Sequence, residues 1–317
     1  MHRIDAISAP LFISWQLTRD CDLACLHCCT ASAPGKRLPD ELNADEALRI
    51  ADEIIQAQVP YVMLCGGEPL VVRHFLALAR RFGAAGVQLK LETNGQQLDA
   101  ALIEQLAALP LRSIQISLDG DTQGVYAAQR PGASLERAHA ACRLVREAGL
   151  PLEITFAPTR LNIHQAQAVI DRAASFGAFR FNTGQLMRIG TAARLWERLE
   201  PSAQQYEELQ AVLQRAARSC ESRSLELCYT PFNLSDALRN ALADPPATLL
   251  ILPNGWVKVA AVLPFACADL RCHALLDAWT LYRNAWRDER IRSASLEALR
   301  NEAHFAQANQ WQMATVA

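Results

Sequence analysis

Between residues 11 and 185, short apolar runs alternate with longer amphipathic ones. Residues 11–18, 60–64, 87–92, 112–118, 152–157 and 179–185 read as strands; residues 43–57, 74–85, 99–108, 134–148 and 163–176 read as helices. In the first helix Leu48, Ile50, Ala51, Ile54 and Ile55 recur on one face, and Asn43 with Glu46 predicts a capping box at its start. Repeat units of about 25 to 35 residues impose parallel pairing with right-handed crossovers. The alternation therefore predicts an α/β fold, a partial (β/α)6 TIM-like barrel over residues 1–190. In such a fold the C-terminal ends of the strands gather at one mouth, where active sites sit.

The pattern changes beyond Arg188. Residues 202–219 predict a polar helix, and residues 225–229, 248–252 and 256–262 predict short strands. The last two are joined at Pro253, Asn254 and Gly255, a good hairpin turn. A helix over residues 275–291 and a polar tail complete an α+β appendage, residues 191–317.

Composition excludes several function classes. A net charge of -2 gives no general attraction to nucleic acid or to an anionic membrane. No apolar run reaches the roughly 20 residues of a membrane span, and the first residues lack the order of a signal peptide. Ten cysteines in such a chain point to a reducing compartment, hence the cytoplasm, with metal or catalytic use favoured over disulfides.

Three of those cysteines, Cys21, Cys25 and Cys28, follow the first strand with the spacing C-x3-C-x2-C. Three thiolates do not complete a tetrahedral structural zinc site, which takes four ligands; they can hold three corners of a [4Fe-4S] cube, leaving one iron open. A packed loop or half of a zinc site is the alternative. The next strand ends in Gly66-Gly67-Glu68-Pro69. Its glycines let backbone approach a ligand closely, and Glu68 can accept from an ammonium, although a tight βα turn needs no more than this. The third and fourth strands end in Thr93-Asn94-Gly95 and Ser117-Leu118-Asp119-Gly120.

The cysteine spacing followed by this GGEP turn resembles the radical S-adenosylmethionine (SAM) superfamily over most of the chain. The resemblance implies a [4Fe-4S] cluster on Cys21, Cys25 and Cys28, with SAM chelating the open iron and being reductively cleaved to methionine and a 5'-deoxyadenosyl radical. It implies an adenine contact for His27, which alone reads as an ordinary loop histidine. Gly66, Gly67, Glu68 and Pro69 would receive the SAM amino group. Glu92, Asn94, Ser117 and Asp119 become candidates for the ribose and methionine part, though Asp119 equally suits capping of its own turn. Arg130 would clamp the SAM carboxylate, where a solvated loop arginine is the plain alternative. Residues 182–187 are expected near the adenine. Cys29, Cys65 and Cys142 are expected to pack as small hydrophobes.

Trp15 to Cys21, the Ser-Leu-Asp-Gly strand end, the Pro253-to-Val257 turn and Leu275 to Trp279 resemble the branch with a SPASM or twitch C-terminal domain. That branch contains peptide maturases and haem-synthesis enzymes. Here the sequence departs from the pattern: Ala247, Thr248, Val259, Ala260 and Ala261 stand where cluster ligands are expected, and only Cys220, Cys228, Cys267 and Cys272 lie outside the barrel. An appendage without an auxiliary cluster is expected, with one cluster or a zinc ion as the alternative. The implied substrate is a ribosomal peptide or a cofactor precursor, the alternative a small molecule such as a tetrapyrrole side chain, an amino acid or a SAM-derived product. A non-catalytic iron–sulfur or zinc protein is the third reading. The implied partner is a reductant such as flavodoxin or ferredoxin; because the chain starts at the barrel without a winged-helix leader-binding domain, a peptide substrate is expected to be recognised by the appendage or by a separate partner protein.

Overall fold

The computed structural model describes residues 3–220, 224–230 and 233–315; of residues 219 and 220 only the backbone is described. Strands β1 (Phe12–Gln16), β2 (Tyr61–Cys65), β3 (Gln88–Thr93), β4 (Leu111–Ser117), β5 (Leu152–Phe156) and β6 (Arg180–Gly184) pair in parallel in chain order. Between them run α1 (Ala44–Gln56), α2 (Phe75–Ala84), α3 (Ala100–Ala107), α4 (Gln123–Gln129), α5 (Leu135–Glu147) and α6 (Ala166–Ser175). The capping box is present: Asn43 Oδ1 accepts from the Glu46 backbone and Glu46 from that of Asn43. The short helix α4 is an addition to the sequence reading; seven residues are too few for a convincing helical period.

The strands have two unlike faces. Ile13, Trp15, Val62, Leu64, Leu89, Leu91, Ile114, Ile116, Ile154, Phe156 and Phe181 are buried in the main core. Each fully buried large side chain contributes about 1.5–3 kcal/mol. Alternate positions carry polar groups that bond to one another. Glu153 accepts from Lys90 Nζ at 2.9 Å, Ser113 Oγ at 2.6 Å and Asn182 Nδ2 at 2.8 Å. Asn182 also donates to Gln115, whose amide donates to Glu92 at 2.8 Å. Lys90 and Glu153 thus form an ion pair inside the barrel, and Glu92 is satisfied by an amide.

The chain continues through α7 (Gly190–Arg194), α8 (Trp196–Leu199) and α9 (Ala203–Cys220) to β7 (Glu226–Thr230), which pairs in parallel with β6. After α10 (Leu234–Ala243), β8 (Thr248–Ile251) pairs in parallel with β1. Antiparallel β9 (Trp256–Lys258) and β10 (Phe265–Asp269) then extend the sheet to β11 (Gln312–Met313). One eleven-stranded sheet therefore joins barrel and appendage, in the order β11-β10-β9-β8-β1-β2-β3-β4-β5-β6-β7.

The single helix expected over residues 275–291 is two, α11 (Leu275–Ala285) and α12 (Glu289–Arg300). Asp288 divides them: its carboxylate caps α12 by accepting from the Arg290 and Ile291 amides. Helix α11 is tied to the barrel by Leu275 N donating to Glu53 and Trp279 Nε1 to the Ile7 carbonyl. Among the described residues no helix is long and apolar enough to cross a membrane.

Candidate functional site

Parallel pairing brings the ends of β2 to β6 to one mouth, and the cysteine loop after β1 folds over it. Together they line a cavity of about 370 Å3, within the range of small-ligand sites. Cys21, Cys25 and Cys28 all line it. Each sulfur already has a neighbour: Cys21 Sγ accepts from Leu23 N at 3.5 Å, Cys25 Sγ from Arg130 Nη1 at 3.5 Å, and Cys28 Sγ from Ser32 N at 3.3 Å. Burial pushes the Cys25 thiol up to about 11 and raises Cys21 as well. Thiols so placed stay protonated until a metal centre ionises them. Among the described residues no three His, Cys, Asp or Glu side chains converge on a single metal ion. A cubane takes one thiolate on each of three irons and needs no such convergence.

Backbone contacts brace the loop in addition to the burial of Leu23 and Cys25 in the core. Gly67 N donates to Thr18 O at 2.7 Å and Glu68 N to Asp20 O at 3.0 Å. Gly66 has φ 137°, and a Cβ there would stand 2.8 Å from Thr18 O; this is why the turn carries glycine. Two further supports gave no signal in the sequence. Gly190, at φ 62°, packs so closely on the Cys28 and Cys29 carbonyls that any Cβ would collide with them, and Thr191 N donates to Cys28 O at 2.8 Å. From the appendage, Asn309 Nδ2 donates to Cys29 O at 2.7 Å.

Of the residues expected to contact SAM, His27, Gly66, Gly67, Glu92, Asn94, Ser117 and Arg130 line the cavity, whereas Glu68, Pro69 and Asp119 do not. Glu68 is fully buried behind the turn, accepting from Thr93 Oγ1 at 2.8 Å, Asn94 N at 2.9 Å and Leu70 N at 3.1 Å. Burial raises its carboxyl to about 7 against these three bonds. Pro69 starts the short 3-10 turn that follows. Asp119 is likewise enclosed, accepting from Arg130 Nε at 2.6 Å and Ala157 N at 2.7 Å, with His27 Nε2 3.2 Å away. Burial opposes its ionisation, but the Arg130 guanidinium outweighs that and holds the carboxyl well below the usual range. Asn94 Nδ2 donates to Asp22 at 2.6 Å, setting the third strand end against the loop.

Gln115, Thr155, Ala157 and the stretch Gln185, Leu186 and Met187 also line the cavity, the last in the place expected for the sixth strand end. Cys29 and Cys65 also border the cavity, while Cys142 is buried on α5. In the appendage Cys267 is buried on β10, Cys272 is exposed in the turn beyond it, and Cys228 lies on β7 at the far end of the sheet order. The Cys220 side chain lies outside the described residues.

Among the described residues His27 Nδ1 is buried at the cavity without a hydrogen-bond partner, since only Nε2 meets Arg130 and Asp119. A buried polar atom left unpaired is costly, and a ligand group in the cavity would satisfy it. Three thiols, one open face and this orphan nitrogen fit a cluster with a small polar ligand beside it.

Comparison with known proteins agrees with the geometry. The model of the radical SAM superfamily matches residues 15–173. Mycofactocin maturase MftC of Mycobacterium tuberculosis is 32% identical over 290 residues, covering 90% of this chain and 72% of that protein. The Mycolicibacterium smegmatis maturase is 36% identical over 204 residues (64% and 51%), and an AdoMet-dependent heme synthase of Methanosarcina barkeri 32% over 188 (58% and 52%). The chain thus spans from about half to 72% of the length of these relatives. Streptococcus suis SuiB bound to S-adenosylmethionine shares the fold with a TM-score of 0.70 at 17% identity, over 86% of this chain and 66% of that one. The cysteine loop, the glycine turn facing it and a family match across half the chain lead to one assignment: the protein belongs to the radical SAM superfamily.

Proposed function

We propose that this protein is a radical SAM enzyme that modifies a ribosomally made peptide. The observation that carries the reading is the convergence of Cys21, Cys25 and Cys28 on a cavity whose other wall is the Gly66-Gly67 turn. When bound, the cluster and SAM supply a carbon radical that removes a hydrogen atom from the substrate. The chain's own part is to hold and orient. The three thiols anchor the cluster, and the Gly66-Gly67 backbone, Asn94, Ser117 and His27 face the ligand. Glu92 and Gln115 form a polar floor beneath it.

A relative named a maturase aligns with nine-tenths of the chain, whereas the haem synthase aligns with 58%. SuiB, which shares the fold, is known bound to a precursor peptide. Both favour a peptide over the small-molecule alternative. A one-electron donor protein of the flavodoxin or ferredoxin kind, a cytoplasmic setting and a separate peptide-recognition partner belong to the same reading, as does a boundary near residue 190 between barrel and appendage. We assign the buried Cys267 to packing and take neither it, the half-buried Cys228 nor the exposed Cys272 to hold a second cluster. The test is anaerobic reconstitution with reductant and SAM, followed by analysis of the products. Formation of 5'-deoxyadenosine is expected; a four-iron protein that leaves SAM intact would overturn the reading.

A further inference from the structure

Arg130 was expected to face the carboxylate of SAM, yet most of its hydrogen-bonding capacity is turned toward the protein. It is buried, and its Nη1 donates to Cys25 Sγ at 3.5 Å. Its Nε donates to Asp119 Oδ2 at 2.6 Å, and its Nη2 lies 3.3 Å from His27 Nε2. A guanidinium has five N–H groups in a rigid fork; three are engaged here, so a ligand in the cavity meets at most the other two. One of the three engaged N–H groups points at the Cys25 sulfur.

Reduction potentials of iron–sulfur clusters respond to net charge, to hydrogen bonds on the sulfurs and to solvent exposure. An N–H donor on a ligating sulfur draws electron density from it, and an adjacent positive charge favours the more negative, reduced state. Both effects act in one direction here. Burial strengthens them, because the low dielectric screens little. Asp119 has the opposite influence on charge and the same one on geometry: it fixes the guanidinium while returning part of the negative charge.

Resting on the reading that Cys25 is a cluster ligand, we propose that Arg130 is a positioning residue that raises the cluster's reduction potential through its bond to the Cys25 sulfur, with Asp119 opposing it in charge.

The test is a redox titration of the full chain, anaerobically reconstituted and followed by the spectrum of the reduced cluster. It is made without SAM, so that a clamp on the SAM carboxylate contributes nothing. Arg130→Gln is expected to move the midpoint to more negative potential and Asp119→Asn to more positive potential, at unchanged iron content. A midpoint in Arg130→Gln equal to the parent's, or more positive, overturns the proposal. Should Arg130→Gln fail to load iron, Asp119→Asn decides, a positive shift supporting the proposal and an unchanged or negative one overturning it. If neither variant loads while Arg130→Lys does, Arg130 acts in holding the loop and the proposal falls. A parent chain that takes up no cluster would instead overturn the assignment of Cys25 itself.

Discussion

Asn309 and Cys29 stand 280 positions apart, and the Asn309 amide donates to the Cys29 backbone carbonyl at 2.7 Å. The last turn of the appendage thus grips the loop that carries the proposed cluster ligands. Its neighbours reinforce the grip: Lys258 Nζ donates to Ala308 O, and Arg19 lies over the Trp311 ring 5.4 Å from its centroid. The appendage thus has a structural task at the proposed cluster loop, with or without metal ligands of its own. Asn309→Ala should lower stability by about 1 kcal/mol, the net worth of one such bond, and should speed loss of iron to a chelator. Iron release at the parent's rate would show that the appendage does not steady the loop.

Two glycines with nearly the same backbone separate strain from collision. Gly190 (φ 62°) abuts the Cys28 and Cys29 carbonyls, whereas Gly149 (φ 69°) faces open space. Gly149→Ala should cost about 1–2 kcal/mol of left-handed strain and leave iron loading intact. Gly190→Ala carries the same strain plus the collision, so its iron content after reconstitution should fall well below that of Gly149→Ala. Equal loading of the two variants would contradict the close packing of α7 on the loop.

Glu68 marks where the sequence reading and the structure part. The turn itself was legible, because two glycines after an apolar run announce close backbone approach. The direction of the Glu68 side chain was not, since its partners Thr93 and Asn94 come from the next βα unit. Glu68→Ala should therefore destabilise the fold by roughly 2–3 kcal/mol, leaving buried donors unpaired, as read in urea unfolding without SAM. Full stability with only weaker SAM binding would mean that the carboxylate serves the ligand instead.

The same division runs through the molecule. The six strands, the capping box at Asn43 and the cysteine loop follow from local periodicity and turn chemistry. Strand β10 was missed because Phe265 to Asp269 alternates weakly and is specified by pairing with β9. The helix and strand that became α9 and β7 were legible, but their place as a further parallel unit beside β6, rather than in a separate appendage, is a tertiary fact. Arg130 and Asp119 were found as candidates, but their mutual bond and the contact to Cys25 are tertiary facts.

Lys258 supplies a pH test. It is buried, bonded only to the carbonyls of Ala261 and Ala308 among its described contacts, and burial lowers its ammonium to about 7 from 10.5. Between those values the unfolded chain binds more protons than the folded one, so this residue's contribution to stability rises with pH and is least favourable below about 7. The difference in unfolding free energy, parent minus Lys258→Met, should therefore grow by roughly 2.5 kcal/mol from pH 6.5 to pH 9, at about 1.36 kcal/mol per pKa unit. A flat difference would show that Lys258 keeps its ordinary pKa in the folded chain.

The central claim is that Cys21, Cys25 and Cys28 hold the cluster at this cavity. Iron per chain after anaerobic reconstitution, compared between the parent and the variant with all three changed to Ala, tests it most directly. The account predicts about four irons in the parent, as for one cubane, and almost none in the variant. About four irons retained by the variant would place the cluster elsewhere, among the appendage cysteines, and contradict the assignment.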